Sequence, residues 1–210
     1  MKRCALIIAV WSLLCCGTAL NQTVPPRRVA LVIGNDTPRL ATTRNDARAV
    51  AAALRELGFE VTLAEDVTQH AWRPLLEEFG ARARGSEVSL FYFAGYATQF
   101  KGGNYLLSSG AKFKTNAQLK AASVAVKELL AQLRAPSNLL LLDACRNHPS
   151  LRKAPRGLST MRAPADTLIA FAAQPGILAL NGQSFENPAI LPTSGYLKIF
   201  HNIHYANEDG

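Results

Sequence analysis

Charge is scarce in this sequence. Asp, Glu, Lys and Arg make up 18% of its 210 residues, against 49% hydrophobic. That excludes a disordered chain, which needs low hydrophobicity and high charge. The length suits a single domain able to bury a core. Cysteine is sparse too: four residues are too few for a disulfide scaffold of this length. Acids are fewer than bases, 15 against 23, and the formal charge of +8 raises the question of an acidic partner. Phosphate-cradling glycine motifs are missing as well. The apolar run ending at Val32-Ile33-Gly34-Asn35 offers one glycine, with neither Gly-x-Gly-x-x-Gly nor Gly-Lys-Ser/Thr. No nucleotide cofactor is expected, nor any other cofactor or metal.

The amino terminus reads as a signal peptide over residues 1–19. Met1-Lys2-Arg3 is a short basic start, and Cys4 to Ala19 is sixteen residues without charge. A membrane span needs about 20. Gly17-Thr18-Ala19 places small residues where a signal peptidase reads, and residues 20–26 form a Pro-containing linker. An uncleaved anchor and a lipoprotein cut before Cys15 or Cys16 are the alternatives. The expected location is therefore exported, periplasmic or secreted, with membrane contact only through this segment. Cleavage after Ala19 removes Cys4, Cys15 and Cys16 and takes the charge from +8 to +6, since Lys2 and Arg3 leave. Cys145 then remains alone, either as a buried inert thiol or as a reactive one.

The body alternates strand and helix. Arg28 to Asn35 reads as a buried parallel strand, Asn45 to Leu57 as a helix ended by Gly58, and Phe59 to Leu63 as a strand. A helix over 69–83, a strand over 86–93, a helix over 118–133 and strands over 138–142 and 167–172 follow. The spacing predicts an α/β fold with a mostly parallel central sheet and helices on both faces. Working residues of such sheets lie beyond the carboxyl ends of the strands. Three ends stand out: Gly34-Asn35, Ala94-Gly95-Tyr96 and Asp143-Ala144-Cys145. The last puts the lone thiol where a parallel sheet places its chemistry.

Arg28 to Asn35, Asn45-Asp46-Ala47, Leu57-Gly58-Phe59, Phe91-Tyr92-Phe93-Ala94-Gly95, Gly103-Asn104-Tyr105-Leu106 and Asp143-Ala144-Cys145-Arg146-Asn147 occur in one order. Gly157-Leu158 and Leu168 to Gly176 continue the series. In this order they resemble bacterial caspase-like cysteine peptidases, the metacaspase relatives, from about residue 27 to 182. The resemblance implies a caspase-like fold, a nucleophile at Cys145 and a catalytic histidine in a Gly-His-Gly turn about 50 residues earlier. Here Gly95-Tyr96-Ala97 occupies that turn, 49 residues before Cys145 (145 − 96). The spacing is kept, and Tyr96 stands where the histidine should be.

The resemblance further implies an oxyanion hole from the backbone N–H of Cys145 and that of Gly95 or a neighbour. It also implies an acidic pocket for Arg or Lys at the cleaved bond, matched by Asp143 and Asp46. Asp46 equally suits a helix N-terminus. The implied partner is a peptide or protein substrate with basic residues. Ala97, replacing the family's second glycine, would disturb the turn if that position needs positive φ. Among the remaining histidines, His70 reads as a surface cap, His148 lies three residues past Cys145, and His201 and His204 fall in the tail.

Arg146 to Arg162 carries five basic residues and no acid. It reads as a solvated basic loop, a linker cut during maturation, or a pseudo-substrate. Nucleic-acid binding is not expected, since aromatic interleaving is lacking. Residues 183–210 lose the pattern and read as a divergent or truncated tail. Two functions remain open: a caspase-like endopeptidase with an impaired catalytic pair, and an inactive homologue acting as a binding or regulatory module.

Overall fold

In a computed structural model of the chain, residues 26–35, 42–144 and 158–172 are described. The expected signal segment, Cys145, most of the basic run and the tail lie outside the described residues. A five-stranded parallel sheet forms the centre, in the order β2-β1-β3-β7-β8. Its strands are β1 (Arg28–Gly34), β2 (Phe59–Glu65), β3 (Val88–Ala94), β7 (Ser137–Asp143) and β8 (Thr167–Phe171). β1 and β3 are continuous apolar runs, almost wholly buried, as befits strands covered on both faces.

Two helices cover the sheet. α1 (Thr43–Glu56) links β1 to β2 and turns Thr43, Ala47, Val50, Ala51 and Leu54 inward. Gly58, at φ +77°, ends it as a left-handed residue just past the helix. α2 (Trp72–Ala83) links β2 to β3 and inserts Trp72 and Phe79 against Phe93 and Phe91, with ring centroids 5.9 and 6.4 Å apart. The chain moves to one side of β1 through α1 and to the other through α2. Right-handed crossovers therefore put the two helices on opposite faces. The α/β architecture with helices on both faces agrees with the sequence expectation.

The segment between β3 and β7 differs from it. A single helix was expected over 118–133. Instead α3 (Asn116–Ala121) stops, β6 (Ser123–Ala125) intervenes, and α4 (Val126–Leu130) restarts. β6 pairs antiparallel with β5 (Gly103–Leu107), which pairs with β4 (Ala97–Phe100). Pairing with β5 overrides helical periodicity at Ser123-Val124-Ala125, while the Ser123 hydroxyl donates back to Leu119 O at 2.7 Å. α3 itself starts on a capping box, with Thr115 and Gln118 each accepting from the other's backbone N–H. This small sheet buries its own cluster of Tyr96, Leu107, Phe113, Leu119 and Ala122. α2 also begins later than expected, leaving His70 exposed in the preceding turn.

Candidate functional site

Register makes the strand ends level. Gly34 pairs with Ala94, and Ala94 with Asp143, so β1, β3 and β7 finish at one height. All three sequence-selected ends thus meet at the carboxyl rim of the sheet, as parallel topology requires. Asn35 continues β1 by donating its N–H to Ala94 O at 2.9 Å, and Gly95 donates to Asp143 O at 3.4 Å. The Gly95 N–H is thus directed at β7 in this structure, and an oxyanion role would take it from that acceptor.

Two glycines allow the close approaches at this rim. A Cβ on Gly34 would sit 2.6 Å from Thr43 O and 2.8 Å from Ala47 Cβ, both on α1. One on Gly95 would meet the Phe93 ring at 2.7 Å. Ala97 causes no strain: it opens β4 and is not among the positive-φ residues, which are Asp66, Lys101 and Asp166 outside glycine. The expected disturbance of the turn is absent because position 97 is extended strand.

The acidic residues share one side of the rim. Gly34 points toward α1, and laterally paired residues of a sheet point the same way. Asp143, level with Gly34 and 5% exposed, therefore faces the α1 side. On α1, Arg44 and Arg48 lie on the flank that reaches β2, bonding Asp66 at 3.2 Å and Glu65 at 2.6 Å. Asp46 is two residues from each, about 200° around a helix of 3.6 residues per turn. That puts it on the opposite flank, toward β3 and β7. Asp46 and Asp143 are accordingly brought to the same face and end of the sheet. Among the described residues no group of three His, Cys, Asp or Glu could hold a metal ion.

Tyr96 is only 8% exposed. It packs with Leu107, Phe113, Leu119 and Ala122, and its carbonyl accepts from Leu107 N–H at 2.9 Å. Cys145, the expected nucleophile, directly follows the rim residue Ala144 in sequence and lies outside the described residues, as do His148, His201 and His204.

Two rim residues were missed or misread in the sequence. The sequence points to Asn35, with Gly34, as a working strand end, but it is 2% exposed and its amide is spent internally. It donates to Val67 O and Leu107 O and accepts from Val67 N–H at 2.8 Å, tying the β2–α2 loop and β5 to the end of β1. Asn104, buried on β5, holds Ser159 in the same manner: it donates to Ser159 O and accepts from its N–H, both at 2.8 Å. Leu158 beside it is 1% exposed in the main core. Asn104 lies in the Gly103-Asn104-Tyr105-Leu106 motif, but only the fold shows its partner 55 residues away.

The chain is similar to known proteins over most of its length. The caspase domain family, among the C14 peptidases, matches residues 27–189. The mucosa-associated lymphoid tissue lymphoma translocation protein 1 of Homo sapiens is 23% identical over 167 residues, covering 78% of this chain and 20% of that protein. Its Mus musculus homologue matches equally. The chain spans about one fifth of the length of these curated relatives. Among solved structures, the Drosophila initiator caspase Dronc aligns with a TM-score of 0.49 and 14% identity, over 84% of this chain and 63% of that one.

Proposed function

The chain belongs to the caspase domain family through residues 27–189, and from that premise we propose that it is a cysteine-type peptidase homologue that retains a cleft for basic side chains but hydrolyses peptides feebly or not at all. The observation that carries this reading is Tyr96. By family resemblance it occupies the position of the catalytic histidine, and its ring is packed in an apolar cluster.

A cysteine peptidase works through its thiolate. An adjacent histidine takes the thiol proton and later hands it to the leaving amine. An unassisted thiol, with a pKa of about 8.5, is only a few per cent ionised near neutrality. A phenol ordinarily keeps its proton at that pH and cannot hold a second one, so it supplies neither the base nor the imidazolium partner. General acid–base assistance is worth about 10²–10⁴-fold, which is the loss expected here. The cleft for Arg or Lys is supported by Asp46 and Asp143 sharing one face of the rim, since carboxylates favour guanidinium and ammonium groups. Attack by Cys145 on the carbonyl carbon would develop negative charge on the oxygen. Backbone N–H groups at the rim are the natural donors to it. On this reading the protein acts as an Arg- or Lys-binding or regulatory module, exported by its amino-terminal segment.

A fluorogenic Arg peptide given to wild type, Cys145→Ala and Tyr96→His distinguishes this from a working endopeptidase. The expected result is turnover that is absent or at least about 10²-fold below an ordinary enzyme rate. Wild-type turnover at an ordinary rate of about 1–10³ s⁻¹ that vanishes in Cys145→Ala overturns the proposal.

A further inference from the structure

Forty consecutive residues, Val88 to Lys127, contain no Asp or Glu and five lysines. The fold gathers most of that charge. Phe100, Ala111, Phe113 and Leu119 pack into the satellite cluster with Tyr96 and Leu107. Their immediate chain neighbours are Lys101, Lys112, Lys114 and Lys120, all exposed. A chain neighbour lies one Cα step of about 3.8 Å away, so four lysines are anchored around one small apolar centre. Lys101 lies over the Phe100 ring, 5.7 Å from its centroid, and Phe100 in turn packs on Tyr105.

Four arginines of the central sheet and its helices are neutralised. Arg27 and Arg82 share Glu60, Arg44 reaches Asp66 and Arg48 reaches Glu65. No carboxylate among the described residues pairs with the four lysines. The module itself, residues 97–125, holds no Asp or Glu to balance them, and it adjoins the strand end that carries Tyr96.

We propose that the module of β4, β5, β6 and α3 is a docking surface for an acidic segment of a polypeptide. Its cations are all lysine, compact point charges without the planar fork that recognises phosphate in two places at once. The ring of Phe100 is covered by Lys101 and Tyr105, so no bare platform is offered for stacking a base. Among the described residues the exposed large hydrophobic is Leu168, on β8. The module thus has no apolar anchor for insertion into a lipid surface. Carboxylates spaced along an extended chain match four lysines gathered on one small module. Binding needs no chemistry at Cys145, so this inference goes beyond the peptidase reading and stands or falls separately from it.

The test uses the full chain carrying Cys145→Ala, so that hydrolysis cannot consume the probe. Fluorescence anisotropy follows a fluorescein-labelled oligo-glutamate peptide. A module variant, Lys112→Gln with Lys114→Gln and Lys120→Gln, is compared with a charge-matched control, Arg55→Gln with Arg73→Gln and Arg84→Gln. All six positions are exposed, and circular dichroism melts confirm that both variants fold. The expected result is saturable binding, weakened about tenfold or more in the module variant, less than about twofold in the control, and also by added salt. Absence of peptide binding, or equal weakening in both variants, overturns the proposal. So does module-dependent binding of a single-stranded oligonucleotide or of phosphatidylglycerol vesicles in preference to the peptide.

Discussion

At the scale of single residues, the rim depends on what is missing as much as on what is present. Gly34 leaves room for α1 to lie against β1, and the atoms a side chain would meet are mostly backbone. Gly34→Ala should destabilise the protein by about 1–3 kcal/mol through overpacking, read as a lower denaturant midpoint at unchanged slope. Glu60 shows a different kind of dependence. Its hydrogen bond from Arg27, reinforced by Arg82, holds its carboxyl at about 2, below the ordinary 4.5. A carboxyl lowered by folding stabilises the native state above its unfolded value, and that contribution drains away as the pH falls through about 2. In Arg27→Gln the Glu60 carboxyl, followed by NMR, should titrate closer to 4.5. Tyr96→His would bury an imidazole among Phe113, Leu119 and Leu107, where desolvation disfavours its charged form. The restored side chain should therefore recover at most a small part of the missing rate in the fluorogenic assay.

At the scale of elements, the sequence revealed the sheet better than the satellite. β1, β3 and β7 are apolar runs that announce buried parallel strands, and the rule that chemistry lies past their carboxyl ends brought Asp143, Gly95 and Tyr96 to notice. Helix α1 was equally plain, from its apolar face and from Gly58 after it. The satellite was not legible, because β4, β5 and β6 are short and hold together by pairing with one another. Ser123-Val124-Ala125 becomes a strand only because β5 lies beside it. The burial of Tyr96 was hidden for the same reason: its neighbours Phe113 and Leu119 arrive from further along the chain. Asn138, counted only as the first residue of a leucine strand, proves to be a buried junction. It accepts from Ser89 Oγ and from Ala135 N–H, and donates to Ala135 O and Asp166 O. Asn138→Leu should destabilise by about 2–4 kcal/mol, since it strands several buried polar groups at once. Loss of amide hydrogen-exchange protection centred on β8 would locate the damage.

At the scale of the whole molecule, the parts on either side of residues 145–157 are joined by more than the chain. β8 pairs with β7 along its length, Ala172 donates to Leu142 O, Leu158 is sunk in the core and Asn104 grips Ser159. A site-specific protease sequence placed between Arg152 and Gly157 and then cut should leave two fragments that co-elute in gel filtration and part only in denaturant. Separation in native buffer would show that these contacts do not suffice. The strand order bears also on how the protein comes into being on the ribosome. β1, β3, β7 and β8 are added to the growing side of the sheet in the order of synthesis. After Ala94 emerges, 42 residues must be made before Ser137 begins β7 (137 − 94 − 1). Through that interval Val88 to Ala94, among the most apolar stretches of the chain, presents an open edge that another nascent copy could capture. The satellite, made in that same interval and rich in lysine, places like charges next to the exposed edge. Mutual repulsion between copies is then a safeguard during translation, working before the sheet can close.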